Sequence, residues 1–231
     1  MASAASQELA IELGDEAGTR LPALWLRPED ACATLVLAHG AGAGMRHRGI
    51  EAPALGLFER GIATLRYEFP YMAAGGRRPD PPRRLHAAVR AAVATGARLA
   101  PDLPLFAGGR SMGGRMTSQT EALEPLPGVV GLIFLAFPLH PPKRPGTARA
   151  EHLQRVARPM LFVNGTRDTL ADLELLRGVC AGLGARATLH EVAGGDHSFD
   201  VLVRSGRNRA EVDEEIVGTI ADWARLAAGP P

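Results

Sequence analysis

The stretch Leu103-Pro104-Leu105-Phe106-Ala107-Gly108-Gly109-Arg110-Ser111-Met112-Gly113-Gly114 decides how the rest of the chain is read. Residues 103–107 form a short apolar run of strand type, and residues 112–123 follow helical spacing. Between them lies Gly-x-Ser-x-Gly, Gly109 to Gly113, a strand-to-helix turn tight enough that glycines must make room for the approaching backbone. Such a turn strains the serine at its tip and lifts the hydroxyl clear of the strand. The helix that follows brings its positive amino end beside that hydroxyl, where a forming oxyanion is stabilised. Ser111 is therefore the candidate nucleophile. The alternative, a passenger serine in a glycine-rich turn, leaves the strand before it and the helix after it unexplained.

Outward from this turn the same texture recurs. Residues 34–38, 62–67, 129–135 and 160–163 are apolar runs without alternation, as in strands buried on both faces of a parallel sheet. Residues 187–192 add a last, more exposed strand. The first 30 residues alternate weakly, 9–13 and 21–26, and predict an antiparallel pair at a sheet edge. Helical spacing covers 53–60, 82–99, 112–123, 149–156, 170–183 and 209–227. Alternating strands and helices predict a doubly wound, mostly parallel α/β sheet whose chemistry sits in loops at the carboxyl ends of the strands.

Composition sets the bounds. The 231 residues carry 26 Lys+Arg against 25 Asp+Glu, a formal charge of +1, with 46% hydrophobic and 22% charged residues. That predicts one globular domain, 1–231, which buries about 70% of its extended surface and needs no staples. The near-zero charge argues against nucleic acid or an anionic membrane as partner. Lys143 is the only lysine, so the arginine excess reads first as codon bias. Cys32 and Cys180 are too few for a disulfide framework or a cysteine metal site and read as two buried thiols in a reducing cytosol. The amino-terminal residues lack the basic start and apolar stretch of a signal peptide. The longest apolar run, 129–139, is about half of what a membrane helix needs. The expectation is a soluble, cytoplasmic protein without metal or cofactor.

A serine needs a base, and the base needs an orienting carboxylate. On such a sheet the acid and the histidine follow the serine on later loops of the same edge. Asp168 lies just past the strand 160–163, in Asn164-Gly165-Thr166-Arg167-Asp168. His197 is the imidazole of the loop Gly194-Gly195-Asp196-His197-Ser198-Phe199. Asp172 is a competing acid, one turn on, that suits a helix cap; Asp196 suits the ordering of its own loop. Two N–H donors should face the oxyanion, that of Met112 and one from His39-Gly40-Ala41-Gly42-Ala43-Gly44, for which Ala41 is the candidate. His39 is read as holding that loop by ring hydrogen bonds. A phosphate-binding glycine loop is rejected, because neither the Gly-Lys-Ser/Thr ending nor the Gly-x-Gly-x-x-Gly spacing is present.

Four segments together, His39 to Gly44, Arg66-Tyr67-Glu68-Phe69-Pro70-Tyr71, Gly109-Arg110-Ser111-Met112-Gly113-Gly114-Arg115 and Gly195 to Phe199, resemble the α/β-hydrolase superfamily. More narrowly they are similar to its small dienelactone-hydrolase-like branch, with bacterial predicted hydrolases and the testis-expressed and NSL-complex-subunit relatives of animals. The resemblance runs over residues 35–227. It implies an eight-stranded α/β-hydrolase fold and carries nucleophile, acid and base onto Ser111, Asp168 and His197. Serine stands where dienelactone hydrolase itself has cysteine, so lactone specificity is not implied. The function implied is a serine hydrolase that cleaves a small carboxylic ester or thioester through an acyl-enzyme. A catalytically weak scaffold or binding subunit, as in some animal relatives, is the alternative.

Many members of the superfamily carry a helical cap after the sixth strand; residues 138–147, rich in proline, are too few for one. That predicts an open, shallow site without a cap domain, suited to short acyl groups. Gly42, Arg110, Tyr71 and His140 are the candidate substrate-binding residues, with Phe69 as a further wall or ordinary packing. Arg46, Arg48, Arg77, Arg78 and Arg110 fall on loops directed to the same edge. They read first as solvated arginines of an arginine-rich chain and, alternatively, as a rim that draws anionic esters. Neither the acyl group nor an oligomeric state is written in the sequence.

Overall fold

Apolar runs with no polar face have no side to leave in water, and they form the middle of the sheet. In the computed structural model, which describes residues 6–229, β3 (Ala33–Ala38), β4 (Ile62–Tyr67), β5 (Leu105–Arg110) and β7 (Met160–Gly165) are buried at every position. The alternating segments β1 (Gln7–Glu12) and β2 (Arg20–Leu26) form the antiparallel edge, β1 to β2 and β2 to β4. With β6 (Val129–Leu135) and the half-exposed β8 (Ala187–Val192) the strand order is β1-β2-β4-β3-β5-β6-β7-β8. From β3 onward all pairings are parallel. Residues 1–5, the start of the segment that lacks signal-peptide features, and 230–231 lie outside the described residues.

Helices cover both faces. On one side lie α3 (Pro82–Leu99), α4 (Met112–Leu123) and α5 (Leu173–Leu183), which bury Leu85, Val89, Met116 and Leu176 against Val36, Leu65 and Phe134. On the other lie α1 (Arg48–Phe58) and α6 (Arg209–Ala228), which bury Ile50, Leu57, Ile216 and Ile220 against Leu35, Leu37 and Ile133. A short α2 (Pro70–Ala73) follows β4. The chain leaves β3 toward β4 on one side and returns to β5 on the other. The switch point, where a crevice opens in such sheets, is therefore at the carboxyl ends of β3 and β5.

Boundaries differ from expectation where side chains outvote pattern. β5 begins at Leu105 and runs through both glycines to Arg110, because Gly108 and Gly109 fit between β3 and β6; a Cβ on Gly108 would lie 1.8 Å from the Ile133 carbonyl oxygen. α1 starts at Arg48, capped by His47, whose Nδ1 accepts the Gly49 N–H; Pro53, read as its start, lies inside it. α5 starts at Leu173 because Asp172 caps it, accepting the Leu175 N–H at 3.1 Å. The segment expected as a helix over 149–156 is 3₁₀, Ala148–Arg155. One burial expectation fails. Cys180 is buried, and burial pushes its thiol up to about 11, but Cys32 is exposed in the turn entering β3. Both thiols are free. No helix among the described residues is long and apolar enough to cross a membrane.

Candidate active site

Ser111 occupies the turn between β5 and α4 with φ 50° and ψ −115°, a left-handed conformation that a side chain adopts only under constraint. The constraint is visible on both sides. Ser111 N–H donates to the Leu135 carbonyl at 2.9 Å, and the Arg115 N–H donates to the Ser111 carbonyl at 3.1 Å. A Cβ on Gly109 would meet the Ala38 oxygen at 2.4 Å, and one on Gly113 would meet it at 2.3 Å. Only glycine lets β3 and the elbow pass this closely.

The three residues named from sequence come together. Asp168, in the loop after β7, has its side chain fully buried, and its Oδ1 accepts the Leu170 N–H at 2.8 Å. Its Oδ2 lies 2.8 Å from His197 Nδ1, and His197 Nε2 lies 3.0 Å from Ser111 Oγ. A carboxylate only accepts, so Nδ1 carries the proton and donates to Asp168, leaving Nε2 free to accept the Ser111 hydroxyl. Asp172 is spent on its cap. Asp196 orders its own loop, accepting the N–H groups of Ser198 at 2.7 Å and Asp200 at 3.0 Å.

The loop after β3 is fixed before any substrate arrives. His39 is fully buried; its Nδ1 donates to the Gly40 carbonyl at 2.7 Å, and its Nε2 accepts the Phe69 N–H at 3.1 Å. Glu68 Oε1 accepts the Met45 N–H at 2.9 Å, and buried Arg66 donates to the Met45 carbonyl at 3.0 Å. Gly40 passes against the elbow, where a Cβ on it would lie 3.8 Å from Ser111 Cβ. Ala41 is exposed and lines, together with Ser111 and Met112, a cavity of about 370 Å³. Met112 opens α4, so its N–H has no helical acceptor.

The candidate substrate residues fall elsewhere. None of Gly42, Arg110, Tyr71 and His140 lines the cavity beside Ser111. The Gly42 N–H is held by the Tyr71 hydroxyl, which accepts it at 3.1 Å, and Phe69 is core. His140 Nε2 accepts the Asp172 N–H at 3.1 Å and so ties the chain after β6 to the start of α5. Arg110 points behind the site, where its guanidinium donates to the His197 carbonyl at 2.7 Å. The expected rim disperses likewise. Arg46 pairs with Glu8, Arg48 lies 3.6 Å from Asp213, and Arg77 and Arg78 are exposed away from the cavity lining.

The cavity wall holds residues the sequence reading passed over: Arg115, Arg149, Asp80, Pro79, Pro142 and Leu170. The signal for Arg115 was present, since it stands four residues after Ser111 and so on the same helix face. A second serine–histidine contact, Ser118 Oγ to His152 Nε2 at 2.7 Å, joins α4 to the 3₁₀ helix. Ser118 is fully buried within the helix and bonds its own turn at the Arg115 carbonyl, 3.0 Å.

An open, mostly parallel sheet of eight strands with a serine at the sharp turn after β5, and no cap between β6 and the 3₁₀ helix, defines the α/β-hydrolase fold. A family model described as an alpha/beta hydrolase domain matches residues 31–225, and the chain belongs to that family. Among solved structures it is similar to an alpha-beta serine hydrolase homologue from Coxiella burnetii (TM-score 0.73, 19% identity, 93% of this chain and 97% of that one). It is also similar to an a/b serine hydrolase without lid from Xanthomonas campestris (0.72, 19%, 96% of each). A third is dienelactone hydrolase from Anabaena variabilis (0.71, 18%, 94% and 96%). At these identities the likeness is one of fold.

Proposed function

We propose that this protein is a serine hydrolase that cleaves a small carboxylic ester or thioester through an acyl-enzyme. The observation that carries this reading is the chain Asp168–His197–Ser111, at 2.8 and 3.0 Å, ending on a strained serine at the mouth of a cavity. Ser111 Oγ attacks the carbonyl carbon as His197 Nε2 takes its proton. Asp168 holds the imidazole in the right tautomer and stabilises the imidazolium. The N–H groups of Met112 and Ala41 receive the oxyanion. Collapse expels the alcohol or thiol, which takes the proton from His197. Water then attacks the acyl-enzyme with His197 again as base, and release of the acid restores Ser111.

The protein works as a single domain in the cytoplasm, on a small molecule and without metal or cofactor. Support for that compartment comes from two free thiols, one of them exposed. The descriptions of the similar structures as serine hydrolases and a dienelactone hydrolase agree with this chemistry.

The test is covalent labelling. A fluorophosphonate is expected to modify Ser111 alone, located by peptide mass spectrometry. Ser111→Ala is expected to abolish labelling and to lower kcat on p-nitrophenyl butyrate by up to about a millionfold. Labelling that survives the substitution, or a wild-type protein that never labels, would remove the reading.

A further inference from the structure

The cavity beside Ser111 has an unbalanced charge. Arg115 lies one turn after Ser111 on α4, half-buried, with its Nε shielded from solvent. Among the described residues its side chain finds neither a hydrogen-bond acceptor nor a carboxylate within 4 Å, whereas Arg110, the other arginine beside Ser111, donates to the His197 carbonyl. Arg149, from the 3₁₀ helix, lines the same cavity and donates to the His140 carbonyl at 3.0 Å, again without a carboxylate. Burial first, and the charge of Arg149 second, lower the pKa of Arg115 from its ordinary value. Asp80 also faces the cavity, but it lies 3.6 Å from Arg84. Two guanidinium groups therefore meet one carboxylate that already has its own cation.

A half-buried guanidinium without a counterion is costly, and the cost is offset when a ligand brings the missing charge. The planar fork of arginine matches a carboxylate, which accepts two parallel hydrogen bonds. The remaining wall is largely apolar, from Leu85, Met116, Leu170 and prolines, so a charged ligand group finds few competing polar partners there.

We infer that the substrate is an anionic ester, one that carries a free carboxylate held by Arg115 and Arg149 while its ester carbonyl meets Ser111. This rests on the reading of Ser111 as nucleophile and adds the substrate's charge. The residues differ from the rim suggested by sequence: Arg46, Arg48, Arg77, Arg78 and Arg110 take no part.

The experiment compares p-nitrophenyl glutarate, which keeps one free carboxylate, with its neutral methyl ester. Wild-type kcat/KM is expected to favour the anion at least tenfold. Arg115→Gln and Arg149→Gln are each expected to bring the ratio toward one, and Arg115→Lys to retain part of it. Asp80→Asn, which removes the opposing charge, is expected to raise the ratio, a gain that misfolding cannot produce. A ratio near one in the wild type, or one that survives both glutamine variants, overturns the inference. Calorimetric titration with glutarate separates this from the catalytic reading. Glutarate is expected to bind the wild type and to bind Arg115→Gln at least tenfold more weakly. A protein that labels with fluorophosphonate but does not bind glutarate keeps the hydrolase and loses the anion. A protein that binds glutarate through Arg115 but never labels keeps the anion site and loses the hydrolase.

Discussion

Ser111 stores strain of order 1–3 kcal/mol in its backbone, and neighbours on β6 and α4 hold it there. On the proposed mechanism Ser111 also depends on where His197 stands, and its loop is held by a residue that does not line the cavity. Arg110, 7% exposed, donates to the His197 carbonyl, so the residue before Ser111 holds the loop of His197. The amino end of α1 closes over that guanidinium, and a Cβ on Gly49 would lie 1.8 Å from its Nη1. Arg110→Met keeps bulk and deletes the hydrogen bond; kcat is expected to fall about a hundredfold, as for a small misplacement of a catalytic group, with KM changed far less. Arg110→Lys is expected to recover part of the loss. Steady-state kinetics check this, and equal losses in KM and kcat would point instead to general loosening of the fold.

Among elements, the contact between α4 and the 3₁₀ helix Ala148–Arg155 does two jobs. It seats Arg149 on the cavity, and it buries His152 against Ser118. Burial, followed by the charges of Arg115, Arg155 and His86, lowers His152 to about 4. The unfolded chain takes up that proton near pH 6.5, the folded protein only near 4, so between these values the unfolded state binds more protons. The contribution of His152 is full above about pH 6.5 and falls as the pH drops toward 4, by about 3 kcal/mol, with nothing further lost from this group below. His152→Gln keeps a hydrogen-bond donor and removes the titration. Urea unfolding at pH 7.5 and pH 4.5 is expected to show a smaller difference for the variant than for the wild type. An equal difference would place the acid sensitivity in other groups, such as Glu68 and Glu215, whose pKa values lie below the ordinary carboxylate range.

For the whole molecule, the topological switch at β3 places the crevice, and no cap stands between β6 and the 3₁₀ helix. Residues 136–147 cross directly from β6 to the 3₁₀ helix, and the cavity they help to wall measures about 370 Å³. Each additional CH₂ of an acyl chain contributes about 0.8 kcal/mol only where a wall buries it. Acetyl to about butyryl esters are therefore expected to have higher kcat/KM than dodecanoyl esters, measured with p-nitrophenyl esters of graded length. A preference that climbs steadily with length would reveal an apolar channel and overturn the open site, while leaving the Ser111 chemistry standing.

What the sequence determined by itself was whatever depends on neighbours along the chain. Unbroken apolar runs required a sheet covered on both faces, Gly-x-Ser-x-Gly between strand and helix required the elbow, and chain order pointed to Asp168 and His197. The edge pair β1–β2 and the helices Pro82–Leu99 and Met112–Leu123 were legible for the same reason. The tertiary structure decided where long, flexible side chains point. Arg110 turns back to the His197 carbonyl, His140 to α5 and Tyr71 to the Gly42 N–H, while Arg115 and Arg149, from distant segments, converge on the cavity. Cys32 sits beside apolar residues in sequence yet outside the sheet in space. A local pattern specifies the face of an element, because periodicity is a property of the backbone. The partner that a side chain meets depends on which elements the fold brings opposite it, and that is settled only when the sheet closes and the helices pack.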